Sequence, residues 1–444
     1  YKTAAFLSLG CKVNAYETES IKEMFKNKGY EIKQFNEVAD IYIVNTCTVT
    51  NIADRKSRQM LHRAKKLNPE AVVVAVGCYV QAPQSKLEED DLVDILVGTR
   101  GKSSVLSLVE EYIRSEKTRD FKHSVIKSGE ENKDWSYDNT EVNDAGGKNR
   151  ANIKIQDGCD QFCTYCIIPF VRGRTRSRDM ESIVEETNRL AKAGFKEMVL
   201  TGIHIGSYGR DIDGESKMLE LLTKLNEVGG DFRIRLGSVE PRLITEEFLE
   251  GLVKLKKVCP HFHLSLQSGS TTVLKRMNRH YSAEEYLNSV KLLKKYYDRP
   301  GITTDIIVGF PGETEEDFED TLNVVKEVRY QSAYMFEYSK RTGTPAATMK
   351  DQVDMEAVKN RFKRLQDTVA EYSDDKLGNK VGYTVEVLAE EVNSEKPLII
   401  TGRMSDNTLV HFKVPTNNKE DYIGKLLNIK ITENCRFYLM GELS

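Results

Sequence analysis

The sequence DGCDQFCTYC at residues 157–166 contains three cysteines, Cys159, Cys163 and Cys166, in a CxxxCxxC pattern. Three thiolates at this spacing can bind three corners of a [4Fe–4S] cluster, and no fourth cysteine follows nearby. One iron is then left without a protein ligand and can bind a small molecule. Because electron carriers of the ferredoxin type complete four thiolates, the open corner indicates chemistry at the cluster rather than simple electron transfer.

Two plainer interpretations of this triplet are a structural zinc site and a group of buried cysteines. Zinc needs a fourth ligand, and no histidine lies near the triplet in the sequence. The iron–sulfur interpretation is therefore favoured.

The composition is that of a globular protein with several domains, since 444 residues exceed the length of one ordinary domain. The net charge of −3 gives no overall attraction to nucleic acid, so any RNA contact must rest on local patches. The sequence has no apolar run long enough to span a bilayer and no signal-peptide pattern at its start. We therefore expect a cytoplasmic protein with no membrane partner, in which the eight cysteines do not form disulfides.

Three further cysteines each follow an apolar, β-rich segment: Cys11 follows residues 4–9, Cys47 follows 41–46 and Cys78 follows 71–76. Helical patterns at 17–28 and 54–66 separate these segments, which predicts a βαβαβ layout with parallel strands. Loops after the carboxyl ends of parallel strands gather at one edge of the sheet. Each cysteine alone would be a buried small hydrophobe, but three at equivalent strand ends predict a second three-thiolate cluster site.

The middle of the chain alternates between strand-like and helix-like segments. The strand-like runs lie at 152–155, 197–201, 232–238, 261–266, 302–308 and 332–338. The helical patterns lie at 179–193, 216–228, 245–256, 283–296, 316–328 and 354–373. Six such units are short of the eight of a closed barrel, so they predict a partial (β/α)6 barrel with reactive groups at the C-terminal strand ends. The polar and glycine residues at those ends are Thr201, Gly202, His204, Ser238, Glu240, Gln267, Asp305 and Gly309.

The two regions beside this core have different compositions. Residues 115–147 are polar and lack periodicity, which predicts a linker in which Trp135 and Tyr137 dock on a neighbouring domain or contact an RNA base. Residues 376–444 contain five short strand-like runs, at 381–389, 398–403, 407–412, 426–432 and 436–441. Such runs predict a small β-barrel of the oligonucleotide-binding kind. Cys259 and Cys435 are interpreted as structural.

The motifs around the two groups of three cysteines resemble those of the radical S-adenosylmethionine (SAM) methylthiotransferases. The resemblance rests on LGCKVN at 9–14 with Glu17, NTCTV at 45–49, GC at 77–78 and IIPFVRGR at 167–174, and it covers essentially the whole chain. It implies an α/β protein with an N-terminal parallel-sheet methylthiotransferase domain at 1–114 and a linker at 115–147. It further implies a radical SAM core at 148–375 and a C-terminal TRAM domain, a small β-barrel, at 376–444.

The resemblance also implies the cofactors. In this family the iron without a protein ligand, here in the cluster at Cys159, Cys163 and Cys166, binds SAM, and the reduced cluster cleaves SAM to a 5′-deoxyadenosyl radical. Cys11, Cys47 and Cys78 would hold a second, sulfur-carrying [4Fe–4S] cluster, so SAM is both radical source and methyl donor. The residues implied to line the SAM pocket are Tyr165, near the adenine, with Thr201, Gly202, Ser238, Glu240, Gln267, Asp305 and Gly309. Among these, Ser238 and Glu240 suit hydrogen bonds to ribose or amino groups, and Gly309 lets backbone approach the ligand.

The form GCKVN and the stretch IQDGC at 155–159 look most like the subgroup that acts on N6-threonylcarbamoyladenosine in tRNA. The subgroup that acts on isopentenyladenosine usually carries glutamine and methionine where this chain has Lys12 and Val13. The resemblance thus implies methylthiolation of C2 of that nucleoside at position 37 of ANN-decoding tRNAs, with flavodoxin or ferredoxin as electron donor and an unidentified sulfur donor. Two enzyme alternatives are isopentenyladenosine and an aspartate of a ribosomal protein as substrates. A different class is a non-catalytic iron–sulfur protein that binds RNA or senses redox state.

Basic residues at three places are candidate RNA contacts, although a charged surface is usually only solvated. Arg55 and Arg58 share a predicted helix face with His62 and Lys66. Arg172, Arg174, Arg176 and Arg178 alternate after the cluster motif. In the C-terminal region, which has nine basic and nine acidic residues, the candidates for RNA contact are Phe412, Lys413 and Arg403.

Overall fold

The structure is a computed structural model that describes residues 2–115, 137, 142, 149–377, 380–393, 399–415, 419–435 and 437–444. Most of the predicted linker, including Trp135, lies outside the described residues. Tyr137 is described, and it docks on the core by donating a hydrogen bond of 3.1 Å from its hydroxyl to the Lys154 carbonyl. Among the described helices, none is long and apolar enough to cross a membrane.

The N-terminal module is a parallel sheet with helices packed against it, as the sequence predicts, but it has five strands where three were predicted. Its strands are β1 (Thr3–Ser8), β2 (Glu31–Lys33), β3 (Ile41–Thr46), β4 (Val72–Gly77) and β5 (Ile95–Val97), and its helices are α1 (Lys12–Asn27), α2 (Asn51–Leu67) and α3 (Val105–Arg114). The strand order is β2-β1-β3-β4-β5, and every neighbouring pair is parallel. Every residue of β3 and β4 is buried, which is why both read as continuous apolar or β-branched runs.

The central module contains nine strands. They are β6 (Arg150–Lys154), β7 (Gln156–Asp157), β8 (Arg176–Ser177), β9 (Glu197–Thr201), β10 (Arg233–Leu236), β11 (Ser238–Val239), β12 (His261–Leu264), β13 (Gly301–Val308) and β14 (Ser332–Glu337). Strands β6, β9 and β10 form one parallel sheet, and β11 to β14 form another. Because β10 and β11 are separated only by Gly237, the two sheets together make six consecutive barrel positions. The predicted partial barrel is thus confirmed.

Helices alternate with these strands or follow them along the chain. They are α4 (Ile168–Arg172), α5 (Met180–Lys192), α6 (Arg210–Asp213), α7 (Met218–Glu227), α8 (Glu246–Leu252), α9 (Thr271–Arg276), α10 (Ala283–Tyr296), α11 (Glu315–Val328) and α12 (Met355–Leu377). All six predicted helical segments are present, as α5, α7, α8, α10, α11 and α12. Four of them differ from the prediction by at most two residues at either end, whereas α8 ends four residues before its predicted end and α12 ends four residues after it. The short helices α4, α6 and α9 were not predicted, because four to six residues are too few for a periodic pattern to appear.

The C-terminal module is the predicted small β-barrel. Its strands are β15 (Thr384–Val392), β16 (Ile399–Arg403), β17 (Leu409–Lys413), β18 (Leu426–Asn434) and β19 (Leu439–Leu443), closed in the order β15-β16-β17-β19-β18. Phe412 is fully buried in its interior. This position corrects the prediction that Phe412 is available to RNA, because strand alternation turns it inward while Lys413 is exposed.

Two arginines of the core hold this barrel in place. Arg233 donates a 2.9 Å hydrogen bond to the Arg403 carbonyl, and Arg235 donates one of the same length to the Ser405 carbonyl. Beside them, Gly301 lies so close to the Asp406 carbonyl oxygen that a Cβ at position 301 would come within 2.1 Å of it. The C-terminal barrel is therefore docked on the core through the turn between β16 and β17. The residue boundaries of the modules stay predictions.

Candidate active site

The CxxxCxxC motif lies in a loop whose two ends are joined by a short antiparallel pair, β7 with β8. Gly158 has a φ of +70°, and a Cβ there would come within 1.9 Å of the Arg174 carbonyl oxygen, so the loop requires glycine. The Cys159 amide donates to the Gly173 carbonyl at 3.0 Å, and the Thr164 amide donates to the Met277 carbonyl at 3.0 Å. These bonds tie the loop both to itself and to the helix that ends at Arg276.

Of the three thiols in this loop, Cys163 is buried, and Cys159 and Cys166 are partly buried. Burial raises the pKa of the Cys159 and Cys166 thiols to about 12, so without metal both are protonated at neutral pH. Arg279 donates a hydrogen bond of 3.1 Å to the Sγ of Cys163. A buried cation beside a ligand sulfur compensates the negative charge of an iron–sulfur cluster, so the residues present fit such a group.

Across the described ranges, no three Cys, His, Asp or Glu side chains are grouped closely enough to hold a single metal ion.

A cavity of about 230 Å³ opens directly beside the three cysteines. Five of the predicted SAM-pocket residues line it, namely Tyr165, Ser238, Glu240, Gln267 and Asp305. His204 also lines it. The sequence reasoning did not find Gln161, Ile168, Ile203, Val239, Ser265 and Arg279, which complete the wall. Of these, Ile203, Val239 and Ser265 follow or end strands β9, β11 and β12, so the strand-end rule could have found them.

Glu240 is the buried carboxylate of this cavity. It accepts hydrogen bonds from His204 Nε2 at 2.9 Å and from Arg242 Nε at 2.8 Å. Burial alone would raise the pKa of Glu240, but these two hydrogen bonds outweigh burial and lower the pKa to about 2. Glu240 is therefore ionised at neutral pH and can accept a hydrogen bond from a ligand amino or hydroxyl group.

Three predicted pocket residues lie outside the cavity wall. Thr201 is buried at the end of β9, where its carbonyl accepts a hydrogen bond from the Ile155 amide. Gly202 packs against Gln156, and a Cβ added to Gly202 would come within 2.9 Å of the Gln156 Oε1. Gly309 has a φ of +75° and packs against Val358 of α12. The role of these three residues in the SAM pocket stays a prediction.

Cys11, Cys47 and Cys78 lie just beyond the carboxyl ends of β1, β3 and β4. A Cβ on Gly10 would come within 2.7 Å of the Cys47 Sγ, so the first two loops touch. Burial raises the pKa of Cys47 to about 11, and the negative charges of Cys78 and Cys11 also act to raise it. The parallel sheet thus brings the three thiols to one edge, as expected from the strand pattern.

A buried ion network joins this edge to the CxxxCxxC loop. Arg172 donates to Asp157 at 2.9 Å, to Glu17 at 3.1 Å and to the Sγ of Cys78 at 3.2 Å. Lys154 lies 2.7 Å from both carboxylates, and Lys102 also pairs with Glu17. Burial alone would raise the pKa of Glu17, but Arg172, Lys102 and Lys154 hold it well below its usual range.

This network corrects part of the predicted RNA surface. The side chains of Arg172, Arg176 and Arg178 are buried and bind carboxylates or carbonyls of the protein, so they are not available to phosphates. Arg174 keeps 61% of its side chain exposed. Arg55 and Arg58 are also exposed, and Arg403 is half-buried beside Glu390.

A second cavity, of about 330 Å³, lies between the N-terminal module and the core. Val49 and Thr50 line it from the N-terminal module, and Phe336 and Arg341 line it from the core. It shares Tyr165, Cys166, Ile168, Gln267 and Asp305 with the first cavity. The two cavities are therefore neighbours that meet at the CxxxCxxC loop.

Comparisons with known proteins agree with this architecture. The sequence pattern of the Radical SAM superfamily matches residues 153–325, Uncharacterized protein family UPF0004 matches residues 3–98, and the TRAM domain matches residues 378–444. The solved structure of a radical S-adenosylmethionine methyltransferase, TsrM, from Kitasatospora setae has a TM-score of 0.56 and covers 78% of this chain and 77% of its own. Its identity is only 14%, so the likeness concerns the fold.

Two curated relatives extend over nearly the whole chain. The "Threonylcarbamoyladenosine tRNA methylthiotransferase MtaB" of Bacillus subtilis (strain 168) is 42% identical, and the match covers 99% of this chain and 96% of the relative. The "tRNA-2-methylthio-N(6)-dimethylallyladenosine synthase" of Clostridium novyi (strain NT) is 39% identical, and the match covers 100% and 97%. The chain belongs to the radical SAM methylthiotransferase family. Membership of the family implies SAM and a [4Fe–4S] cluster as cofactors.

Proposed function

We propose that this enzyme methylthiolates C2 of N6-threonylcarbamoyladenosine at position 37 of tRNA, giving 2-methylthio-N6-threonylcarbamoyladenosine. The observation that carries the proposal is the second cavity, which touches Cys166 on one side and the N-terminal module on the other. A nucleoside held there lies beside Cys166 and beside Val49 and Thr50, which follow Cys47 in the same loop. The choice of nucleoside is supported by the relative with 42% identity, which is named for threonylcarbamoyladenosine.

The second candidate substrate is dimethylallyladenosine, the isopentenyl-type nucleoside. Several relatives of 37–39% identity carry that name. Both substrates require the same chemistry at C2 of an adenine, so they differ only in what the N6 substituent contacts.

The family's cofactors supply a radical strong enough to remove a hydrogen atom from an unactivated carbon, which no acid or base of a protein can do. We propose that Cys159, Cys163 and Cys166 hold the cluster that binds SAM. Glu240 and Ser238 then accept or donate hydrogen bonds to the amino or ribose groups of SAM within the first cavity. Tyr165, which packs edge-on against Phe310 at 6.4 Å, forms part of the wall of both cavities and positions the ligand adenine.

Cys11, Cys47 and Cys78 would hold the second [4Fe–4S] cluster, which carries the sulfur. Arg172 holds the Cys78 sulfur in place and, through Asp157, fixes the loop of the first cluster relative to it. The remaining partners proposed are an ANN-decoding tRNA and an electron donor such as flavodoxin or ferredoxin.

Iron counting tests the two cluster sites. Anaerobically reconstituted protein should hold about eight irons, two clusters of four. Replacing Cys159, Cys163 and Cys166 with alanine should leave about four irons and abolish SAM cleavage. Replacing Cys11, Cys47 and Cys78 should also leave about four irons but keep SAM cleavage to 5′-deoxyadenosine. Eight irons in this second variant would rule out the N-terminal cysteines as ligands.

Mass spectrometry of nucleosides tests the substrate. Bulk tRNA from cells lacking the gene should contain threonylcarbamoyladenosine without its methylthio form, and complementation should restore that form. Loss of the methylthio form of isopentenyladenosine instead would establish the second candidate. A protein that forms no 5′-deoxyadenosine when reduced would be a binding or sensing protein rather than an enzyme.

A further inference from the structure

The last strand of the partial barrel carries two large aromatic side chains that are exposed. Strand β14 lies at the end of the sheet β11-β12-β13-β14 and, among the described residues, pairs only with β13. Tyr334 is 54% exposed and Phe336 is 51% exposed. Residues two apart in a strand project from the same face, about 6.6 Å from each other along the strand. The alternate residues, Ala333 and Met335, pack against the core instead. Neighbouring exposed aromatic side chains of this kind are typical of a binding surface.

The face that carries Tyr334 and Phe336 adjoins the proposed active site. Tyr334 packs against the ring of His263 on β12, with 5.8 Å between the ring centroids. Asp305 on β13 is the register partner of Tyr334, and its carboxylate lies 3.0 Å from His263 Nε2. Asp305 lines both cavities of the proposed active site, and Phe336 lines the second. The two aromatic rings therefore extend the wall of the second cavity outward along β14.

Two cations stand near the same cavity. Asn51, at the start of α2, donates a hydrogen bond of 2.9 Å to the Lys340 carbonyl, so this helix contacts the segment after β14. Thr50 and Ser339, which precede these two residues, line the second cavity. Lys340 and Arg55, one turn into α2, are exposed, and neither forms an ion pair within the described ranges. Exposed rings beside unpaired cations are the means by which proteins bind single-stranded nucleic acid, because bases stack on the rings and phosphates pair with the cations.

We propose that Tyr334 and Phe336 form a stacking surface for a base next to the target nucleotide of the bound RNA, and that Lys340 and Arg55 contact the adjoining phosphates. The inference rests on the proposed function, which places the target nucleoside in the second cavity. The next nucleotide of the RNA then lies outside that cavity, where the ring of Phe336 is exposed. The carboxylate of Glu337 lines the cavity itself, so the phosphates are expected outside it. Because every base has a π face, such stacking holds the RNA without selecting its sequence.

The first test measures how tightly the anaerobically reconstituted protein binds an anticodon stem–loop RNA with threonylcarbamoyladenosine at the target position. Tyr334→Leu and Phe336→Leu each remove a ring but keep an apolar side chain, so each should weaken binding about fivefold to a hundredfold. Tyr334→Phe and Phe336→Tyr keep a ring and should bind as the wild type does. The matched control is Tyr296→Leu on α10, which should leave the affinity unchanged because Tyr296 contacts Lys295 and Glu250 instead.

Photocrosslinking tests whether a base lies against the rings. Two further RNAs carry 5-bromouridine immediately before or immediately after the target nucleotide. Irradiation should join one of these bases to Tyr334 or Phe336, and mass spectrometry of the peptides locates the link. The yield should fall in Phe336→Leu, compared at protein concentrations that bind all of the RNA. A residue with only a structural role would not form this link.

The salt dependence of binding tests the phosphate contacts. Lys340→Met and Arg55→Met should each reduce the slope of log affinity against log salt by about one, because each removes one phosphate contact. Lys254→Met, another exposed change, should leave the slope as it is in the wild type. The leucine variants of Tyr334 and Phe336 should lower the affinity without a change of slope, since stacking releases no counterions. Unchanged slopes for Lys340→Met and Arg55→Met would overturn the phosphate contacts.

The stacking surface is overturned if either leucine variant binds the RNA as tightly as the wild type does, or if the links form only at other residues. It is also overturned if Phe336→Tyr loses as much affinity as Phe336→Leu. Binding is measured without SAM or reductant, so it does not depend on methylthiolation. A second RNA, with dimethylallyladenosine at the target position, separates the two proposals. Wild-type protein that binds only this RNA would contradict the proposed substrate, and the leucine variants would then test the stacking surface on it.

Discussion

The Nε of Arg172 lies 3.2 Å from the Sγ of Cys78, a residue 94 positions earlier in the chain. The same guanidinium binds Asp157, which comes two residues before Cys159. One buried side chain therefore connects the two cysteine groups. Their relative position depends on an ion network rather than on apolar packing alone.

Removing this cation should destabilise the protein strongly. Arg172→Met leaves Glu17 and Asp157 buried with fewer counter-charges, so we expect a loss of about 3–5 kcal/mol in the free energy of unfolding. The control is Arg174→Met, which breaks an exposed pair with Asp160 and should cost less than about 1 kcal/mol. Thermal unfolding under anaerobic conditions measures both. Equal effects of the two changes would refute the structural role of the network.

The hydrogen bond from Arg279 to the Cys163 sulfur should raise the reduction potential of the first cluster. Arg279→Met should lower that potential by tens of millivolts. For a one-electron reduction, about 59 mV corresponds to a tenfold change in the equilibrium constant. Arg276→Met is the control, because Arg276 binds Asp351 and the Pro311 carbonyl instead of a sulfur. Potentiometric titration followed by electron paramagnetic resonance measures the shift, which must be absent in the control.

Glu240→Gln should weaken SAM binding roughly tenfold to a hundredfold, since a hydrogen bond to a charged group contributes about 1.5–3 kcal/mol. Glu247→Gln, an exposed change on α8, should have no effect. Calorimetric titration of SAM into the reconstituted proteins gives both affinities. An unchanged affinity of Glu240→Gln would place the SAM amino and ribose groups elsewhere.

The same residue predicts a pH dependence of stability. The pKa of Glu240 in the folded protein is about 2, below its ordinary value of 4.5. The ionised carboxylate therefore stabilises the fold above pH 4.5, and this contribution is lost as the pH falls from about 4.5 towards 2. The difference in unfolding temperature between wild type and Glu240→Gln should shrink across that interval. A difference that stays constant would contradict the lowered pKa.

Disrupting the contact between the C-terminal barrel and the core should weaken tRNA binding and leave SAM cleavage unchanged. In Gly301→Ala the added methyl group collides with the Asp406 carbonyl, whereas Gly229→Ala meets no atom within 4 Å. We expect Gly301→Ala, like deletion of residues 376–444, to lower tRNA affinity about tenfold, or about 1.4 kcal/mol. Iron content and SAM cleavage without tRNA should be unchanged. Full affinity in the deletion variant would remove the barrel from the RNA-binding surface.

Most of the longer strands and helices could be predicted because their apolar periodicity is a local signal. The short strands β2, β5, β7 and β8 and the helix α3 were not predicted. Helix α1 shows where that signal fails: it was predicted from Glu17 but begins at Lys12. Its first turns bury Asn14, Glu17 and Thr18, which face polar partners rather than an apolar core. Helix turns that bury polar residues in an ion network weaken the hydrophobic stripe by which a helix is predicted from its sequence.

The cysteine groups could be predicted in the same way, since both follow from spacing and from strand ends. Arg279 could not, because its contact with Cys163 spans 116 residues and depends on how α9 is placed. The prediction that the four arginines after the motif contact RNA was wrong for three of them, and the reason is related. Charge is visible in a sequence, but whether a buried carboxylate such as Asp157 already binds that charge is decided by the tertiary fold.

The hydrogen bonds from Arg233 and Arg235 to the turn at 403–405 set a fixed separation between the C-terminal barrel and the mouth of the cavities. If the barrel binds RNA, as proposed, this fixed distance determines which nucleotide of the folded RNA reaches the cysteines. The target nucleotide would then be selected by its distance from the bound part of the RNA, and the protein would not need to recognise the identity of the surrounding bases.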